Sequence, residues 1–196
     1  MKPTLLLWTT FFMSLLIIYL ISSWLPTLLS NSGISLSKAS FIAAMFQVGG
    51  TTGAILLGRC MDRFNPHRVL AASYLVAAAF IALIGFSDGV LWVLLLAVFG
   101  AGFCVSGSQV GANALAAATY PTGNRTTGVS WASAIGRSGS IVGSMIGGLM
   151  LSFHLDNHAF FLIVAVPALL GSAAIFTMGR LERVGRPAPA LCKQAA

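Results

Sequence analysis

The sequence predicts an all-α membrane protein of six transmembrane helices, and three observations carry that prediction. Of 196 residues, 57% are hydrophobic and only 8% are charged, far from the roughly 25% charged content of soluble domains. Six apolar stretches reach the ~20 residues that a helix needs to cross a hydrocarbon core about 30 Å thick. With the N-terminus inside, Lys2, Arg59, Arg63, Arg68, Arg125, Arg180, Arg183, Arg186 and Lys193 all become cytoplasmic, and Lys38 alone lies outside. That asymmetry is the positive-inside pattern, so the formal net charge of +7 reports topology and does not call for a nucleic acid partner.

The first span, 5–29, is too long for the core of a signal peptide, and no small-residue cleavage site with a polar mature region follows it, so it is read as retained. It carries a loose polar patch of Tyr19, Ser22, Ser23 and Thr27. The second span, 39–58, places Gln47 and Thr51 four residues apart, and the third, 69–86, is almost wholly apolar. In the fourth, 90–118, "SGSQVGAN" sets Ser106, Gln109 and Asn113 on one helical face. The fifth and sixth spans are 126–150 and 158–179, with 180–196 left as a Pro/Ala-rich cytoplasmic tail expected to be disordered. Short loops join these six, so 1–179 forms one bundle without a soluble domain. Trp8, Trp24 and Trp92 fall near predicted helix ends, where amphipathic rings favour the membrane interface. Glycine recurs at four-residue spacing, as in Gly107 with Gly111 and Gly139 with Gly143 and Gly147. Such ridges let backbones approach where lipid offers no hydrophobic drive between helices, and sliding interfaces would use the same feature.

The fifth span raises the sharpest question. At 100° per residue, Thr126, Ser130, Ser133, Arg137, Ser140 and Ser144 share a sector of roughly 80°, flanked by glycines. Arg137 is near mid-helix on this stripe, where a charge costs several kcal/mol unless it meets water, a partner or an anionic ligand. The four acids, Asp62, Asp88, Asp156 and Glu182, lie in loops or the tail and are out of its reach. Two readings stay open: the guanidinium bonds backbone carbonyls or a group outside this chain, or its planar fork holds a substrate carboxylate. A polar pathway is favoured by the convergence of Arg137 and Ser133 with Gln47, Gln109 and Asn113 from other helices. Each of those polar residues taken singly is as well explained by an interhelical hydrogen bond.

Enzyme chemistry finds no footing. There is no nucleophile elbow, phosphate loop, HExxH or paired carboxylate. Cys60, Cys104 and Cys192 are isolated, and "HLDNH" spaces His154 and His158 for a metal only if helical, so neither disulfide nor metal site is expected. The acceptor pattern at Asn124 falls on the cytoplasmic side and is discounted.

The loop after the second span, "GRCMDRFNPHR", sets Gly58 four residues before Asp62, then Arg63 and Arg68, in an order that resembles a loop signature of the major facilitator superfamily. Physically, Gly58 would admit a neighbouring helix while Asp62 and the arginines form a charged latch that breaks on opening. Together with "LLLWTTFF", "YLISSWLPTLL", "MDRFNPHRV" and "YPTGNRTTGVSWASAIGRSGSIVGS", the chain resembles the last six helices of the aromatic acid:proton symporters of that superfamily, nearest to bacterial 4-hydroxybenzoate and protocatechuate transporters.

The resemblance implies a C-terminal six-helix half of a twelve-helix transporter in the bacterial inner membrane, both ends of the half being cytoplasmic. It implies uptake of an aromatic carboxylate by alternating access, driven by a proton gradient and without a cofactor. Gly58, Asp62, Arg63 and Arg68 match the gating loop, and Arg137 matches an arginine of the eleventh helix. The family's proton-linked acids lie in the first half, in keeping with the absence of a membrane carboxylate here. The chain is thus expected to be a truncated or split transporter needing an N-terminal half or a second copy. The alternative is a non-transporting six-helix subunit with an assembly or regulatory role.

Overall fold

A computed structural model describes residues 2–31, 33–87, 90–153 and 157–185. Asp88, His154, Asp156 and the tail from residue 186 onward lie outside the described residues, as do the side chains of Lys2, Glu182 and Arg183. The chain folds into α1 (Lys2–Asn31), α2 (Leu36–Arg63), α3 (Pro66–Gly85), α4 (Leu91–Thr119), α5 (Arg125–Ser152) and α6 (Asn157–Gly185), with a 3-10 turn at Thr122–Asn124 leading into α5. All six are long and apolar enough to cross a membrane. The α6 helix continues to Gly185, beyond the boundary at 179 expected from hydropathy, because a helix does not end where its apolar stretch does.

Turn chemistry sets the helix ends. After α1, Gly33 takes a positive φ of 85°, its N–H donates to the Ser30 carbonyl at 3.1 Å, and the Ile34 N–H donates to the Leu29 carbonyl at 3.1 Å. This is a Schellman C-cap, whose left-handed residue costs glycine nothing, and Ile34 packs back on the core beside it. Between α2 and α3, Asn65 caps the new helix by accepting from the His67 N–H at 3.2 Å, with Pro66 at the first helical position.

The helices pair in a pattern that survives exchanging α1–α3 with α4–α6. The α2·α4 contact maps onto α5·α1, α3·α4 onto α6·α1, and α3·α6 onto itself, as expected for two nested three-helix repeats. The main core runs along α1, α2, α3, α4 and α6, with Ile17, Ile21, Phe46, Ile81, Val98 and Phe160 fully enclosed.

Glycine decides how closely the two outer pairs approach. A Cβ on Gly102 of α4 would overlap the Phe46 carbonyl of α2, and one on Gly49 or Gly53 would overlap the carbonyl of Phe99 or Phe103 on α4. On the other side, Gly139 and Gly143 of α5 lie against the carbonyls of Phe12 and Leu16 on α1. Backbone approach of this kind gives van der Waals contact where burial from water contributes nothing.

Candidate functional site

Arg137 sits about 18 Å along α5 from its start at Arg125, near the middle of a 30 Å hydrocarbon core. Gly136, Gly139, Gly143 and Gly147 turn their face of α5 to α1, and this points Arg137 away from that contact, so its side chain is exposed. Among the described residues no acid and no carbonyl meets the guanidinium. The fork of donors is therefore open to a group from outside these six helices.

The serines of the stripe spend their protons locally. Ser140 Oγ donates to the Arg137 carbonyl at 2.7 Å, and Ser144 Oγ donates to the Ser140 carbonyl at 3.1 Å. Such back-bonding hides hydroxyls in a helix. It leaves oxygen lone pairs on the stripe beside Arg137, which alone brings charge. Ser133, one turn earlier, is half-buried.

Gln109 lies about 15 Å from the end of α4 at Thr119, at nearly the depth of Arg137 on a neighbouring helix. Its Oε1 is buried without a hydrogen-bond partner among the described residues, a costly state for an amide oxygen unless something else completes it. Asn113, about 9 Å from the same end, is exposed. Gln47 of α2 is exposed at about 24 Å from Arg63, toward the far side of the bundle, and its carbonyl accepts from Thr51 Oγ1 at 3.1 Å. Arg137, Gln109 and Ser133 thus share one level, with Asn113 below and Gln47 above. Ser106 is drawn aside, because a Cβ on Gly50 would lie 2.7 Å from the Ser106 Cβ at the α2·α4 contact.

The expected gating loop is largely helical and divided: Gly58, Asp62 and Arg63 lie in the last turns of α2, which continues past the expected end at 58, and Arg68 lies in the first turn of α3. Gly58 and Asp62 line a cavity of about 270 Å³ with Met61, Gly111, Leu115 and Ala118, at the end of α4. Nothing within 4 Å would meet a Cβ on Gly58, so the close neighbour expected there does not come from these helices. Arg63 is exposed, whereas Arg68 lies beyond the Asn65 cap and lines a second cavity beside α6. Among the described residues Asp62 pairs with neither arginine.

Two features escaped the sequence reading. Trp24 is not an interfacial anchor: its indole packs on Gly147 and Gly148, and its Nε1 donates to the Ser144 carbonyl at 2.9 Å, tying α1 to the helix of Arg137. Trp8 stacks on Trp131 with ring centroids 6.4 Å apart, leaving its Nε1 buried and unsatisfied among the described residues. Of the three tryptophans assigned to the interface, only Trp92 is largely exposed, at 80%. The glycines at 147 and 148 were the available signal for Trp24, since two adjacent small residues make a slot that a flat ring fills.

Taken as chemistry, the site offers one planar cation and a few amide and hydroxyl groups at bilayer depth. That is equipment suited to binding an anion. The chain is 46% identical over 176 residues to the 4-hydroxybenzoate transporter PcaK of Pseudomonas aeruginosa, covering 90% of this chain and 39% of that protein. It is 45% identical over 185 residues to the gallate transporter of Pseudomonas putida, covering 94% and 41%. To the benzoate transport protein of Acinetobacter baylyi it is 33% identical over 188 residues, covering 95% and 40%. The chain thus spans about two fifths of the length of these curated relatives. Residues 7–191 match the Major Facilitator Superfamily; with six membrane-length helices in two exchangeable triplets, the chain belongs to that superfamily.

Proposed function

We propose that these six helices form one half of a secondary transporter for aromatic carboxylates, and that Arg137 holds the substrate carboxylate. The observation that carries this reading is the open guanidinium at half depth in α5, with Gln109 and its unsatisfied oxygen at the same level on α4. The amide of Gln109 and the side chains of Ser133 and Asn113 then orient the ring and its substituents, and Gln47 lines the path on the other side. The relatives named for 4-hydroxybenzoate, gallate and benzoate transport share a ring bearing a carboxylate, which supports that substrate class.

Alternating access requires a second six-helix half across the site. The polar flanks of α4 and α5 face it, and it supplies the titratable acids for proton coupling. The Gly58–Asp62 cavity receives one of its helices at the cytoplasmic end and closes that end when the site opens outward. In this reading the protein resides in a bacterial inner membrane with both ends of the bundle in the cytoplasm.

Uptake of radiolabelled 4-hydroxybenzoate by cells carrying the complete transporter tests the proposal. Arg137→Ala is expected to lower uptake efficiency by roughly 30-fold or more, the worth of a charge-assisted bidentate contact, at unchanged membrane abundance. Arg137→Lys keeps the charge and loses the fork, so it should recover only part of the rate. Wild-type kinetics in Arg137→Ala would remove this residue from the site.

A further inference from the structure

The ends of α3 and α6 enclose a cavity of about 220 Å³, separate from the Gly58–Asp62 cavity and lined by Asn65, His67, Arg68, Phe176, Gly179 and Arg180. The two helices come this close because position 179 is glycine: a Cβ there would lie 2.7 Å from the His67 Cβ. Arg180 rests its guanidinium on Phe176, 4.6 Å from the ring centroid. Stacking fixes the head group through its face, while the N–H donors lie in the plane and stay available. Arg68 enters from the first turn of α3 and is exposed. Among the described residues neither arginine has an acidic partner, and Asp62 lines the other cavity.

The backbone amides of α3 are not the donors here. The His67 N–H is bonded to the Asn65 side chain, and the N–H groups of Arg68 and Val69 are bonded to the Asn65 carbonyl at 3.0 and 3.1 Å. An incoming anion therefore meets two guanidinium groups from two helices, with the positive end of α3 behind them. We propose that this cavity binds a phosphate-bearing anion, whose several oxygens accept from Arg68 and Arg180 at once. An anionic lipid headgroup and free phosphate are the two sources of that chemistry. Basic pockets between transmembrane helices at the bilayer surface suit the first.

Native mass spectrometry of the purified chain, titrated with phosphatidylglycerol, phosphatidylcholine or inorganic phosphate, tests the site. Wild type should retain one phosphatidylglycerol in preference to phosphatidylcholine, and the double variant Arg68→Ala with Arg180→Ala should need roughly 10- to 30-fold more of it. Arg59→Ala, exposed at the same end but outside the cavity, should bind as wild type. If a large excess of inorganic phosphate fails to displace the lipid, the headgroup is the ligand; if it displaces the lipid and itself raises the melting temperature, free phosphate is. Equal retention by the double variant, or an equal loss in Arg59→Ala, would overturn the proposal. The lysine pair Arg68→Lys with Arg180→Lys guards against misfolding: it keeps charge and bulk, and binding as weak as in the alanine pair would likewise count against two guanidinium forks.

Discussion

The α2·α4 and α1·α5 contacts occupy matching places in the two halves of the bundle, yet they are built differently. On α2·α4 both helices contribute glycine, with Gly49 and Gly53 facing the Phe99–Phe103 backbone and Gly102 facing Phe46. On α1·α5 only α5 contributes glycine: Gly139 and Gly143 face the Phe12 and Leu16 carbonyls of α1, while Gly147 faces the Trp24 side chain. Both contacts thus bring backbone against backbone, the first at three glycines and the second at two. The second ends in an indole held by one hydrogen bond, and a side chain can move. Burial of the matching helices differs modestly: 33% of the apolar stretch of α2 is enclosed against 28% for α5, and 56% of α4 against 44% of α1. The helix that carries the open charge is thus packed by glycine much as its counterpart α2 is, except at the Trp24 end. In the proposed transporter, whose site must face each side in turn, the Trp24 end of α1·α5 is where a side chain can rearrange.

Substitutions at the two contacts sharpen this difference. The largest effect is expected from Gly102→Val, whose Cβ meets the Phe46 carbonyl with no side chain to rotate away. It should lower stability by roughly 3 kcal/mol, read as a lower melting temperature and loss of monodisperse protein in detergent. Gly147→Ala meets only Trp24, which can turn aside, so a smaller loss of about 1–2 kcal/mol is expected. The smallest effect belongs to Trp24→Phe, which removes the bond to the Ser144 carbonyl and keeps most of the ring; about 1 kcal/mol or less should be lost. The last two changes disturb one contact, so combined they should cost less than their sum. If Gly102→Val melted no lower than Gly147→Ala, the contrast between the two interfaces would not hold.

Much of the fold was legible because membrane helices are written in composition: apolar runs gave the six spans. The polar stripe of α5 was legible too, since a charge amid glycine and serine stands out at helical period. Which helices pair was not. Gly107 and Gly111 looked like one ridge, yet a Cβ on the first would meet Gly53 and Ala54, and one on the second would meet Met61 and Leu70. Periodicity reports which residues share a face and says nothing of what lies opposite. The segment from Gly58 to Arg68 was read as one loop latch for a similar reason, although Gly58, Asp62 and Arg63 are in α2. The Asn65 cap turns the chain so that Asp62 faces α4 and Arg68 faces α6, a consequence of three-dimensional turn geometry that spacing alone does not carry.

Everything functional in this account turns on the fork of Arg137 meeting a carboxylate. The most direct measurement is binding of 4-hydroxybenzoate and of its uncharged analogue 4-hydroxybenzamide to the complete transporter, with Arg137 intact and with Arg137→Ala. The intact protein should prefer the acid by roughly 30-fold or more, and the variant should bind acid and amide about equally, because the lost preference is the interaction between that guanidinium and that carboxylate. If Arg137→Ala kept its full preference for the acid, the carboxylate would be held elsewhere and the central claim would be wrong.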